Sequence, residues 1–280
     1  MKKAALTRSI MDRLADIANK QQIPFQNILT SFLLERMVAR LIRNPELSDK
    51  LIFKGGYVGL RVFQSPRYTL DLDASIQKAD ITRIVLLAKE AMQADIVDGV
   101  WFLFEKEDEL QTFSEYGGMR LNFRSGVGEP PKNVKKAQSI HLDLGLGDPV
   151  VPAPVQTETR SLLGEDSLSW RVYTIESTVA EKLHTLIIRH SDNSRAKDVY
   201  DLAYLLPKCN PALLKTAIAE TFHFRGDTLP PDIPAALGKI DSDLLKRGWK
   251  SAVAGLKEQP DFDEAFTQIT QCCKIVFPRM

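Results

Sequence analysis

Cysteine is scarce in this chain: three among 280 residues, at Cys209, Cys272 and Cys273. The count is odd and two are adjacent, so no disulfide framework is indicated, and no Cys/His spacing fits zinc. A reducing cytoplasm is the expected compartment. No apolar run reaches the ~18 residues that a membrane span requires. The opening stretch MKKAALTRSIMDRLADIANKQ carries two lysines but no apolar segment behind them, so it does not read as a secretory signal. Net charge is almost absent at +1. No global field draws the chain onto nucleic acid or lipid, and any basic surface must be local. Internal repeats and low-complexity tracts are missing too.

What is present is an ordinary globular balance, 44% hydrophobic and 26% charged. The length allows one large domain or two modest ones. Apolar spacing predicts a helix over about 5–20. A second helix opens at Pro24, with Phe25, Ile28, Leu29, Phe32, Leu33, Met37 and Leu41 as its stripe. Arg36, Arg40 and Arg43 sit near its end, where cations suit the helix dipole. Asp80 is placed to cap a helix through Met92. Strands are expected at 100–104, 119–124 and 139–147, with a lysine-bearing loop at 125–138 and a connection at 148–170. Trp170 to Ile175 adds a further strand. From Glu176 onward the pattern is helical, with later helices at 211–222, 233–255 and 261–275. This order predicts an α+β fold: a small mixed sheet flanked by helices, followed by a helical C-terminal domain. The expected divisions are a helical segment at 1–48, an α/β core at 49–170 and a helical domain at 171–280.

The chain is organised around Phe53–Ile76, FKGGYVGLRVFQSPRYTLDLDASI. Lys54-Gly55-Gly56 ends one element and opens a short helix. Arg67 to Ile76 then reads as a strand. Residues two apart in a strand share a face, so Asp71 and Asp73 point together while Leu70 and Leu72 turn the other way. Two neighbouring carboxylates need a cation between them. Mg²⁺ is the natural choice, since it takes one or two carboxylates and completes its shell with water and phosphate oxygens. Glycine backbone at a helix start suits phosphate. Asp143, on the 139–147 strand, points away from its leucines and is a third acid. Two ions about 4 Å apart would stabilise the attacking oxygen and the leaving phosphate. These parts describe phosphoryl or nucleotidyl transfer.

The stretch FKGGYVGLRVF…SPRYTLDLD resembles the nucleotidyltransferases of the AbiEii/AbiGii toxin family, a branch of the DNA polymerase β-like superfamily. A second block agrees with it: VAEKLHTLIIR at 179–189, then SRAKDVYDLAYL at 194–205. The likeness spans roughly 50–206. Tyr57 and Thr69 depart from the small residue and the serine commoner there. The resemblance implies Mg²⁺ or Mn²⁺ held by Asp71, Asp73 and Asp143, and an NTP held by Lys54, Gly55, Gly56, Arg67, Thr69 and Lys182. Lys182 would neutralise triphosphate charge as a point charge. Asp198 would orient Lys182 or complete the site. Asp143 would ligate a second metal or take the hydroxyl proton. The implied acceptor is a tRNA 3′ end. The implied setting is a type IV toxin–antitoxin or abortive-infection (phage-defence) pair with a separately encoded antitoxin, expected to be a transcriptional regulator.

Blander readings stand beside these. Glu181 and Lys182 fit a solvated helix face. Arg195, Lys197, Asp198 and Asp201 fit surface pairs worth ~0.3 kcal/mol each. Tyr200 and Tyr204 fit packing better than base stacking. Lys132, Lys135 and Lys136 fit either RNA phosphates or plain solvation. Asp148 fits a turn. His141, His184, His190 and His223 suggest no triad, though His141 could face the site. Other readings are a nucleotide- or partner-binding protein without turnover, a transferase acting on a protein hydroxyl, or a sugar-nucleotide transferase with a doubly wound sheet.

Overall fold

The computed structural model describes residues 2–110, 117–146, 150–164, 166–189 and 195–278. Asp148 and His190 lie outside them. The chain divides into two compact units.

The first unit comprises Met1–Val62, Tyr68–Gly147 and Gln156–Val172. It opens with α1 (Lys2–Gln21), α2 (Phe25–Arg43) and α3 (Pro45–Lys50). Asn44 caps α3 by accepting from the Glu46 and Leu47 N–H groups. Then follow β1 (Leu51–Lys54), α4 (Gly55–Arg61), β2 (Asp71–Ile76), α5 (Ile81–Gln93), β3 (Val100–Glu109), β4 (Gly118–Val127), β5 (Gln138–Leu146), β6 (Val155–Arg160) and β7 (Ser167–Val172). Asp80 caps α5, accepting from Thr82 N–H as its sequence position predicts. Among the described residues the strands form one seven-stranded mixed sheet, in the order β3-β4-β5-β2-β1-β7-β6. β2 runs parallel to β5 and antiparallel to β1; β4 is antiparallel to both β3 and β5.

Strand alternation sets the two faces. Leu72, Ala74, Leu121, Phe123, Ile140, Leu142 and Leu144 are fully buried. The residues between them on β2 and β5, Asp71, Asp73, His141 and Asp143, remain partly exposed. Helix α2 packs against α1, α5, β5 and β7. It is buried almost all round, and its charged residues are buried with it. Arg36 and Arg40 are therefore not helix-end decorations. Arg40 grips both oxygens of Asp98, at 2.8 and 3.0 Å, and also donates to the Arg36 and Val100 carbonyls. Glu35 is fully buried and accepts from Arg36, Arg61, Ser161 Oγ and Leu162 N–H. Buried charges persist only when paired in this way.

Several sequence expectations shift. The strand expected from Arg67 begins at Asp71, and Leu70, expected on the buried face, is 57% exposed. The expected connection at 148–170 contains β6 and the start of β7. The loop at 125–138 is shorter because β4 continues to Val127. It holds a 3₁₀ turn at Val134–Lys136, and Lys132, Lys135 and Lys136 are exposed. The strand count does not separate this sheet from a doubly wound one; its antiparallel pairings do.

The second unit comprises Phe63–Arg67, Asp148–Val155 and Tyr173–Met280. Its helices are α6 (Ile175–Arg189), α7 (Ala196–Leu205), α8 (Pro211–Phe224), α9 (Ile233–Leu237), α10 (Ser242–Arg247), α11 (Trp249–Val253) and α12 (Phe262–Val276). They share an apolar core built on Val179, Leu183, Leu202, Leu214, Ile218, Phe222 and Ile269. The single helix expected at 233–255 is three short ones. Gly238 and Gly248 end the first two, and Asp232 and Asp241 start them with side-chain caps. Among the described residues no helix is long and apolar enough to cross a membrane.

Candidate active site

The sheet unit carries a polar face on its middle strands. Ladder register sets Lys54 opposite Asp73, Asp73 opposite Asp143, Asp143 opposite Arg120, and Arg120 opposite Asp108. Directly opposed residues share a face, so charge runs in one row across five strands. One step along, Asp71 lies opposite His141, and His141 opposite Asn122.

Each carboxylate is held differently. Asp71 accepts from the Thr69 hydroxyl. Asp73 stands against the backbone of Gly55: a Cβ there would lie 2.0 Å from Asp73 Oδ2. Gly55 also has φ +74°, which favours glycine. The glycine thus makes room for Asp73, a tighter demand than the approach of a phosphate. Asp143 accepts two hydrogen bonds from Arg120, Nε at 2.7 Å and Nη2 at 2.6 Å. Arg120 Nη2 is also 4.0 Å from Asp71 Oδ2. Those bonds to Asp143 raise the Arg120 pKa, against burial and aided by the charges of Asp143, Asp71 and Asp73. Burial lowers the His141 pKa, and Arg120 lowers it further. His141 Nδ1 is buried without a hydrogen-bond partner.

A divalent ion fits this face through Asp71 and Asp73. They are carboxylates on one side of β2, and Mg²⁺ needs only one or two protein carboxylates. Among the described residues, no three His, Cys, Asp or Glu side chains converge as a ready-made cage.

The helical unit carries a second cluster. Lys182 on α6 donates from Nζ to Asp198 Oδ1 and lies equally close to Asp201 Oδ2, both at 2.8 Å. Asp198 and Asp201 share a face of α7 because they are three apart. Arg67 forks onto Asp201, Nε to Oδ1 at 2.8 Å and Nη2 to Oδ2 at 2.7 Å. Arg195 Nη1 reaches Asp198 Oδ2 at 3.0 Å. Burial alone would lower the Lys182 pKa, but Asp198 and Asp201 outweigh it and hold it above the ordinary lysine value. Burial would likewise raise Asp201, but Lys182 and Arg67 pull it down to about 2.

Asp198 and Asp201 are therefore buried partners of Lys182, not a surface ladder, and Lys182 is not on a solvated face. Sequence reasoning gave Arg120 no role in the site and read Asp201 only as a surface pair. Arg120 showed only as the polar beat of an alternating strand, while Asp201 lay in plain view inside the second block. Two other positions are settled by their contacts. Tyr57 is 1% exposed, packed 6.0 Å from the Trp170 ring, with its hydroxyl donating to Ser31 O, so it belongs to the core. His184 does have an acidic partner, Asp227 at 2.8 Å, with Arg225 at its other nitrogen. Tyr200 is buried against Trp249 and stacks on Tyr204, in line with packing.

The mixed sheet with its flanking helices has a likeness among solved structures, and a family model matches the chain. The family model described as "Nucleotidyl transferase AbiEii toxin, Type IV TA system" matches residues 36–268, and the chain belongs to this family. Membership in a toxin–antitoxin family implies an antitoxin partner. Among solved structures, the chain is similar to an H. pylori protein proposed to be a nucleotidyltransferase. The TM-score is 0.53 at 16% identity, covering 90% of this chain and 95% of that one. It also matches JHP933 from Helicobacter pylori, with TM-score 0.48 at 17% identity, covering 90% and 92%. The first likeness supports the fold. No curated protein matches the chain.

Proposed function

We propose that the protein is a metal-dependent nucleotidyltransferase, moving a nucleotide from an NTP to an acceptor hydroxyl, with a tRNA 3′ end as acceptor. The observation that carries this reading is the pair Asp71 and Asp73 on one face of β2, beside the Gly55 turn, in a member of a nucleotidyl transferase toxin family. The acceptor oxygen bonds to the α-phosphorus as the bond to the bridging oxygen breaks. Pyrophosphate leaves with the electron pair, and the hydroxyl proton passes to a carboxylate of the polar face. Mg²⁺ or Mn²⁺ held by Asp71 and Asp73 would supply charge neutralisation at the phosphates. Asp143 is the third acid of this face.

Thr69 fixes Asp71 through its hydroxyl. Lys54, Gly55 and Gly56 are assigned to the phosphates. Within the helical unit, Asp198 orients Lys182 through the 2.8 Å contact. The physiological setting is a toxin opposed by a separately encoded antitoxin of the regulator type. Purified protein incubated with Mg²⁺, each labelled NTP and total tRNA tests this. Label should move to tRNA and stop in Asp71→Ala plus Asp73→Ala. Transfer that persists in the double variant overturns the site assignment.

A further inference from the structure

We infer that Arg120 takes the place of a second metal ion, and that Asp143 serves as a positioning residue for Arg120 instead of as a metal ligand. This rests on the nucleotidyltransferase reading above. Arg120 engages both Asp143 oxygens in a two-pronged fork, at 2.7 and 2.6 Å, the strongest geometry for such a pair. Asp143 is the more enclosed partner, its side chain 13% exposed. Arg120 and Asp71 are the open ones, at 35% and 38%. The guanidinium therefore stands on the more enclosed anion and faces the accessible Asp71 carboxylate from 4.0 Å.

Charge points the same way. Asp71, Asp73 and Asp143 less Arg120 leave two negative charges, which one divalent ion neutralises. Lys54, in register with Asp73, lowers the demand for cations further. Asp108, opposite Arg120, adds no ligand, since Lys106 and Asn122 hold its carboxylate. A second divalent ion on Asp143 would sit against a fixed guanidinium and be repelled. Arginine never loses its charge at any working pH and needs no loading. It offers N–H donors beside Asp71, which suits an anionic phosphate oxygen.

The test counts bound Mn²⁺ by electron paramagnetic resonance, in the presence of an α,β-non-hydrolysable NTP. Wild type with the nucleotide bound should hold one Mn²⁺ per chain in total, the ion shared by the nucleotide and the carboxylates included. Asp71→Asn should lose it and Asp143→Asn should keep it with affinity within about threefold. Arg120→Lys keeps charge but cannot fork, so it should retain the ion while transfer falls in kcat more than in KM. If Asp143→Asn fails to fold, the double variant Arg120→Gln, Asp143→Asn removes both charges of the pair and carries the same expectation. Loss of the ion in Asp143→Asn, or two such ions in wild type, overturns the inference alone. No bound ion in wild type overturns it together with the metal-dependent reading beneath it.

Discussion

The Asp73 carboxylate occupies the space that a side chain at Gly55 would need: a Cβ on Gly55 would fall 2.0 Å from Oδ2. The two residues are eighteen apart in sequence and meet because β1 and β2 pair antiparallel around α4. Gly55→Ala should therefore do two things. The left-handed backbone and the clash together cost about 1–3 kcal/mol of stability. Displacing Asp73 by an ångström lowers transfer roughly 100-fold. Urea denaturation and the tRNA transfer assay check both; full activity in Gly55→Ala would show that the Asp73 position is immaterial.

Removing Asp201 should cost far more than removing Lys182. Asp201→Ala strands Lys182 and Arg67 with one fewer anion in a buried cluster, a loss of about 3–5 kcal/mol. Lys182→Met leaves Asp198 with Arg195 and Asp201 with Arg67, so its stability loss is smaller. Chemical denaturation ranks the two; equal losses would show that Lys182 alone holds the cluster together.

Acid should reveal the same aspartate. Its folded pKa of about 2 lies below the ordinary 3.8 because Lys182 and Arg67 outweigh burial. A depressed carboxylate stabilises the fold above its unfolded pKa, and that share disappears as pH falls through the folded value. The Asp201 contribution, about 2 kcal/mol, is therefore intact above pH ~4.5 and lost between pH ~4 and ~2. Asp201→Asn should flatten the acid limb of the stability profile in that window. Lys182 has the opposite sign: its raised pKa keeps its share intact through neutral pH and removes it only in strong alkali. A variant profile parallel to wild type between pH 4 and 2 would contradict the assignment.

Glu35 tests the sheet unit without touching the polar face. Glu35→Ala leaves Arg36 and Arg61 without their buried carboxylate and should lower stability by about 3–5 kcal/mol. The midpoint of urea unfolding should drop, with KM for NTP unchanged in the folded fraction.

Tyr57→Phe separates core from site. It deletes the hydroxyl that donates to Ser31 O and should cost about 1 kcal/mol. NTP affinity by calorimetry should not move. A change in NTP affinity would show that the Tyr57 hydroxyl bears on the binding surface.

The elements with strong periodicity were legible from the residues alone. Alternation at Leu121 and Phe123, and again at Ile140, Leu142 and Leu144, located β4 and β5. Asp80 marked the start of α5, and Asp71 and Asp73 fell on one face as spacing requires. The failures have physical reasons. Segment 65–70 looks extended, yet Arg67 is fastened to Asp201, 134 residues away, and not to a strand ladder. No local pattern carries such a pair. Arg40 looked like a helix-end cation because its carboxylate partner, Asp98, and the Val100 carbonyl come from other elements, and Arg36 because its Glu35 pair is enclosed by Arg61, Ser161 and Leu162 from elsewhere in the unit. Arg120 escaped notice for the same reason, since its fork to Asp143 appears only once β4 and β5 are in register. The breaks at Gly238 and Gly248 were readable: Asp241 lies between them as a cap, and apolar periodicity overrode these punctuation marks.

The strand bearing Asp71 and Asp73 is not at the rim of the sheet: β5 flanks it on one side and β1 on the other. Sliding it by one residue would unzip both neighbours and push two acids into an oily interior. The carboxylate spacing is thereby locked by architecture, while β3 and β6, at the outer margins, each lean on one neighbouring strand only. Diversification of such toxins should accumulate at those margins and leave the acid-bearing middle untouched.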